Sequence, residues 1–219
     1  MAQNLALACS AVSPSATRAA DSWSAMPTPA VPAPKITMRW SASLIPVART
    51  GAFTEDIVTE MAAHASRPVI MPMSNPTSLA EARPADLIRW TGGRALVAAG
   101  SPFGPVDFDG TRYVVGQANN ALVFPGLGLG VIAARASRVT DGMLSAAAYA
   151  VAGLVDTTVA GAPLLPQVET LRDTSLAVAT AVARAAAADG VATVPLDDDL
   201  TAQVRALMWQ PAYRPVLPA

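Results

Sequence analysis

Two short apolar runs lie in the middle of the chain, and a polar loop follows each of them. Val69–Met73 is short and partly β-branched, which predicts a strand buried on both faces of a parallel sheet. Ala95–Ala99 predicts the next strand. Apolar residues recur at helical spacing from Thr54 to about Ser66, and again after residue 121 as far as Met208. The pattern therefore predicts an α/β fold in which a parallel sheet has flanking helices and a helical carboxyl-terminal region.

The loop Ser74–Ser78, which follows the first predicted strand, contains a candidate ligand contact, Asn75. Ligands of open α/β sheets bind at the carboxyl ends of the strands. Pro76 keeps the backbone of Asn75 extended, and the carboxamide offers two donors and an acceptor without charge. An ordinary Asn-Pro turn, in which the side chain bonds its own backbone, is the open alternative.

Two further loops extend this candidate site. Asp109-Gly110 predicts a β-hairpin, after which Asn119 and Asn120 precede a long apolar stretch. Paired amides are poor choices for packing alone, so they favour a ligand site. Ser101, in the loop after the second predicted strand, offers a hydroxyl or a backbone amide to a cofactor, although serine is also a common turn residue.

Composition and charge exclude several classes of function. The chain has 219 residues, of which 52% are hydrophobic, enough for one sizeable domain with a core. A net charge of −1 indicates neither a nucleic-acid partner nor an anionic membrane. One cysteine, Cys9, and one histidine, His64, make no disulfide and no metal-ligand cluster. The acids Asp197–Asp199 are typical of a helix start rather than of a metal site.

The glycine run Gly126–Gly130 is not a dinucleotide fingerprint. That fingerprint requires the spacing G-x-G-x-x-G between a strand and a helix, and here the third glycine comes one position early. Close helix packing or a kinked buried helix is the better interpretation, because glycine lets two backbones approach. The segment is also too short to span a bilayer.

Residues 1–50 differ from the rest of the chain. Serine, alanine, proline and threonine dominate them without a helical or strand period, which predicts a disordered or unrelated low-complexity segment. Leu5–Ala8 is too short for the hydrophobic core of a signal peptide, so we expect a cytoplasmic protein. Residues 51–219 form the predicted domain.

Several motifs after residue 50 resemble, in order and spacing, the carboxyl-terminal half of malic enzymes. They are Gly51–Asp56, Pro72–Ser78, Ala98–Phe103, Gly116–Asn120 and Phe124–Gly126. The resemblance implies the carboxyl-terminal part of an NAD(P)-binding domain with a partial Rossmann-like sheet. It also implies an enzyme that oxidatively decarboxylates malate to pyruvate and CO2 with NAD or NADP and Mg²⁺ or Mn²⁺, as a homo-oligomer when complete.

The same resemblance suggests roles for the amides. It implies substrate contacts for Asn75, Asn119 and Asn120, and cofactor contacts for Asn75, Ser101 and Asn119. The amides would orient malate so that its C2 hydrogen faces the nicotinamide.

The chain also departs from the family. The tyrosine acid, the lysine base, the malate-binding arginine and the metal-binding carboxylates of malic enzymes belong to upstream segments that have no match here, so no catalytic or metal-binding residue is assigned. We expect a truncated or frame-disrupted malic enzyme that is inactive alone. A non-catalytic nucleotide-binding or assembly module, and a malolactic-type relative that releases lactate, are the alternatives.

Overall fold

The computed structural model describes residues 50–211. The low-complexity segment, Cys9 and the end of the carboxyl-terminal tail lie outside the described residues. Within residues 50–211, none of the helices combines the length and apolar character needed to cross a bilayer.

The described residues alternate short strands and helices first and are helical afterwards. The helices are α1 Glu55–His64, α2 Pro84–Trp90, α3 Phe124–Ala134, α4 Asp141–Ala152, α5 Leu171–Ala188 and α6 Leu200–Leu207. The strands are β1 Val69–Ile70, β2 Leu96–Ala99, β3 Val106–Phe108, β4 Thr111–Tyr113 and β5 Gly116–Gln117. The predicted α/β class, with flanking helices and a helical carboxyl-terminal region, is confirmed.

A three-stranded parallel sheet positions the loops. Its order is β1-β2-β5, with Ile70 opposite Val97 and Ala98 opposite Gly116. The predicted length of β1 was wrong, since the strand ends at Ile70 rather than Met73. Pro72 has no N–H to donate to a ladder, and its carbonyl instead accepts from the Gly100 N–H at 2.8 Å. The segment after β1 therefore runs beside the end of β2 as irregular chain.

The predicted hairpin forms a separate two-stranded unit. β3 and β4 pair antiparallel, with Phe108 opposite Thr111. Asp109 and Gly110 both have positive φ, 47° and 71°, as a type I′ turn requires. The chain then returns to the parallel sheet as β5, whose end delivers Asn119 and Asn120.

The glycine run belongs to a helix interface, as predicted. Gly126 and Gly130 lie in α3 against α5, and a Cβ added at either would lie within 2.7 Å of Val178 or Val182 side-chain atoms. Pro125 is tolerated because it lies in the first turn of α3. This contact anchors the helix that follows the Asn119 loop.

Side-chain caps begin two of the helices, and the start predicted at Asp197–Asp199 is confirmed. The Thr140 hydroxyl accepts from the Met143 N–H at the start of α4, and Asp199 accepts from the Ala202 N–H at the start of α6. The acidic run that ends at Asp199 therefore begins a helix.

Candidate functional site

The carboxyl ends of β1, β2 and β5 open into a single cavity of about 260 Å³. Amides from both predicted loops lie in its wall, so the predicted juxtaposition of these loops is confirmed. The lining residues are Met73, Asn75, Gly100, Gln117, Ala118, Asn119 and Asn120. None of these side chains is ionisable, so the pocket wall is polar without being charged.

Asn75 is held by the loop that follows β2. The Ser101 hydroxyl donates to Oδ1 of Asn75 at 2.5 Å and lies 3.2 Å from the Ser74 carbonyl oxygen. The peptide bond between Asn75 and Pro76 is cis. Because Oδ1 is engaged, the Nδ2 group of Asn75 retains two N–H donors that have no protein acceptor among residues 50–211.

Asn119 and Asn120 are positioned by a short 3-10 helix, Asn120–Leu122. Asn119 caps this helix, because its Oδ1 accepts from the Ala121 N–H at 2.9 Å. The Nδ2 of Asn119 and the carboxamide of Asn120 have no hydrogen-bond partner in the described part of the chain. The Oδ1 atoms of Asn75 and Asn119 are thus engaged within the protein, and their Nδ2 groups have no acceptor among residues 50–211.

Gly100 allows the loops to come this close. A Cβ at this position would lie 2.1 Å from the Met73 carbonyl oxygen, which is backbone and cannot rotate away. The Gly100 carbonyl accepts from Nε2 of Gln117 at 3.2 Å. Gly100 therefore connects all three strand ends.

The structure brings together the four residues predicted for the site, Asn75, Asn119, Asn120 and Ser101. Ser101 differs from the other three because it contacts protein groups and does not line the pocket. Its side chain is 2% exposed, and its hydroxyl contacts Ser74 and Asn75. A direct cofactor contact by Ser101 stays a prediction.

Two polar side chains in or beside the site, those of Gln117 and Glu81, were missed by the sequence predictions. Gln117 lies in the wall, which its place in the Gly116–Asn120 motif could have indicated. Glu81 is fully buried and accepts hydrogen bonds from the backbone N–H and the hydroxyl of Ser74. Its only signal in the sequence is an alanine on each side.

The charged residues of the described part do not gather into a metal site. Residues 50–211 contain no group of three or more His, Cys, Asp or Glu side chains that could hold a metal ion. The chemistry that the pocket itself offers is hydrogen bonding by neutral amides, with N–H donors at Asn75 and Asn119 and both a donor and an acceptor at Asn120.

These features define a class of protein: an α/β domain with an amide-lined pocket at the carboxyl edge of a parallel sheet, where such folds bind ligands. The family model described as "Malic enzyme, NAD binding domain" matches residues 42–187. This match covers well over half of the chain, which belongs to that family.

Known proteins agree with this assignment. NAD-dependent malic enzyme 3 of Bacillus subtilis (strain 168) is 57% identical over 167 residues, 76% of this chain and 29% of that protein. The NAD-dependent malic enzyme of Sodalis glossinidius is 48% identical over 165 residues, 75% of this chain and 29% of that protein. The chain thus spans 29% of the length of both relatives.

Solved structures show the same fold. The crystal structure of malic enzyme from Pyrococcus horikoshii matches with a TM-score of 0.58 and 25% identity, over 74% of this chain and 34% of that one. That of the Entamoeba histolytica malic enzyme matches with a TM-score of 0.57 and 24% identity, over 74% of this chain and 30% of that one.

Proposed function

We propose that this chain is the carboxyl-terminal part of the NAD-binding domain of an NAD-dependent malic enzyme, with the domain spanning residues 51–219. In this proposal the pocket binds malate beside the nicotinamide end of NAD. The observation that carries the proposal is the convergence of Asn75, Asn119 and Asn120 in one uncharged wall.

The donors of the pocket fit the acceptors of these ligands. Malate carries carboxylate and hydroxyl oxygens, and the nicotinamide carries a carboxamide oxygen. The Nδ2 groups of Asn75 and Asn119 are available to such oxygens, because both Oδ1 atoms are engaged within the protein. Asn120, whose whole carboxamide is available, can also accept from a hydroxyl or an amide.

The amides act by positioning. NAD, when bound, accepts the hydride from C2 of malate. Asn75 and the Asn119-Asn120 pair face the same cavity from two loops, so they can fix a small ligand between them at a defined angle. Neutral donors hold acceptor oxygens without the desolvation cost of a buried cation.

Binding without turnover is the expected behaviour of this chain alone. General acid–base catalysis requires a titratable group near the reacting atoms, and no lining residue of the pocket has one. Residues 50–211 also provide no group of ligands for the divalent cation that polarises the keto oxygen in the family. We therefore propose that substrate conversion needs groups from outside this region.

Calorimetric titration with NAD, NADP and malate tests the proposal. Saturable binding of NAD to the full chain is expected, weakened about tenfold or more in Asn75→Ala and in Asn120→Ala. Absence of binding by both dinucleotides would overturn it. A parallel assay with malate, NAD and Mn²⁺ is expected to show no cofactor reduction, pyruvate or lactate; formation of either product would contradict the inactivity of the isolated chain.

A further inference from the structure

Glu81 is a buried carboxylate that has no part in the pocket wall. It is the only charged side chain among the buried residues of the described region, and its exposed fraction is 0%. No Lys, Arg or His between residues 50 and 211 forms an ion pair with it. Burying a carboxylate without a cation is unfavourable, and an apolar residue of similar volume packs at lower cost. Core packing alone therefore gives no reason for a glutamate here.

Within residues 50–211, all the hydrogen bonds that reach the Glu81 carboxylate come from one residue, Ser74. The Ser74 backbone N–H donates to Oε2 at 3.2 Å, and the Ser74 hydroxyl donates to Oε1 in a short contact. Two donors on one residue fix both its position and its rotation. We call these two hydrogen bonds the Glu81–Ser74 clamp. Because Ser74 directly precedes Asn75, the clamp also restricts the position of the Asn75 backbone.

The remaining polar group of Ser74, its carbonyl, contacts the loop that follows β2. Its carbonyl oxygen lies 3.2 Å from the Ser101 hydroxyl, which also contacts Oδ1 of Asn75. The chain Glu81, Ser74, Ser101 and Asn75 thus forms one connected network. Its free end is the Nδ2 group of Asn75, a residue of the pocket wall.

We propose that Glu81 is a positioning residue that holds the Asn75 carboxamide in its binding orientation through Ser74. The inference rests on the proposed function, in which Asn75 contacts the ligand. Fully satisfied buried polar networks restrict a loop to one arrangement, whereas apolar packing permits several. Glu81 therefore preorganises the loop rather than adding stability, and it lies outside the pocket wall.

Glu81→Met separates positioning from stability. Methionine matches the length of glutamate but accepts no strong hydrogen bond, so the folded chain is expected to keep its melting temperature to within a few degrees. Its affinity for NAD is expected to fall about tenfold. Glu81→Gln, which retains an acceptor for the Ser74 N–H, is expected to recover part of this loss. Glu60→Gln, at an exposed site paired with His64, is the matched control.

The orientation of the Asn75 carboxamide can be followed by NMR through the resonances of its side-chain amide. In chain labelled with ¹⁵N at asparagine, its Nδ2 resonances are assigned by their loss in Asn75→Asp. They are expected to shift or broaden in Glu81→Met and in Ser74→Ala, and to stay unchanged in Glu60→Gln. Should Glu81→Met fail to fold, Ser74→Ala and Glu81→Gln provide the same readout.

The outcomes separate the two proposals. Unchanged Asn75 resonances in the folded variants would overturn the positioning role, whatever the chain binds. If the Asn75 resonances shift in these variants but the wild-type chain binds no NAD, the clamp is supported and the proposed function is overturned instead.

Discussion

Ser101 and Asn75, which are 26 residues apart in the chain, meet through a 2.5 Å hydrogen bond between the Ser101 hydroxyl and Oδ1 of Asn75. This contact joins the ends of β1 and β2 at the pocket wall. It also restrains the Asn75 carboxamide, because the engaged Oδ1 leaves Nδ2 as the free end of the group.

Ser101→Ala removes this hydroxyl. We expect the free energy of unfolding to fall by about 1 kcal/mol and the affinity for NAD to fall several-fold, because the Asn75 carboxamide loses its fixed orientation. Urea denaturation and calorimetric titration measure the two effects. Ser78→Ala, at an exposed position in the Asn75 loop, is the control and should change neither. Equal effects in both variants would contradict the assigned role of the Ser101 hydroxyl.

Gly100→Ala tests the close approach of the two strand ends. The added Cβ would lie 2.1 Å from the Met73 carbonyl oxygen, so backbone must move and the pocket must distort. A loss of about 2 kcal/mol in the free energy of unfolding is expected, together with loss of NAD binding. Gly104→Ala places its Cβ in open space and is expected to stay within about 0.5 kcal/mol of wild type. A Gly100→Ala chain as stable as Gly104→Ala would refute the account of this contact.

Substitutions of Asn119 and Asn120 should differ in their effect on protein stability, although both residues line the pocket. Asn119→Ala removes a cap on the Ala121 N–H and is expected to lower the free energy of unfolding by about 1 kcal/mol. Asn120→Ala breaks no hydrogen bond among the described residues, so a change within about 0.5 kcal/mol is expected. Both should weaken NAD binding. Thermal unfolding with and without NAD measures the difference, and equal destabilisation by the two variants would argue against the capping role.

The interface between α3 and α5 gives a prediction that does not depend on a ligand. Gly126→Ala brings its Cβ to 2.5 Å from Cβ of Val178, so a loss of about 1–3 kcal/mol in the free energy of unfolding is expected. Gly128→Ala, in the same helix but facing open space, is expected to stabilise by about 0.5–1 kcal/mol. Denaturant titration of the two variants should give changes of opposite sign; the same sign in both would contradict the assigned interface.

Local chemistry explains which elements could be predicted from the sequence. The helix start at Asp199 and the Asp109-Gly110 turn depend on residues next to one another, and the structure confirms both. The length of β1 was wrong because the apolar pattern continues through Pro72, whereas the missing N–H of proline removes it from the ladder.

The candidate site could be predicted only in part, because the sequence indicates local structure better than contacts between distant segments. Asn75, Asn119 and Asn120 could be placed together, since parallel strands bring their carboxyl ends to one edge. The engagement of Ser101 with Asn75 and the burial of Glu81 depend on contacts between segments, and neither residue type nor spacing indicates such contacts.

One titration tests the central claim directly, which is that the amides of two loops form a single ligand pocket. The chain has four asparagines, Asn4, Asn75, Asn119 and Asn120, so ¹⁵N-asparagine labelling yields few side-chain amide signals. On addition of NAD, the signals of Asn75, Asn119 and Asn120 should move together with one dissociation constant. Movement of Asn75 without the Asn119-Asn120 pair, or of the pair without Asn75, would contradict the claim.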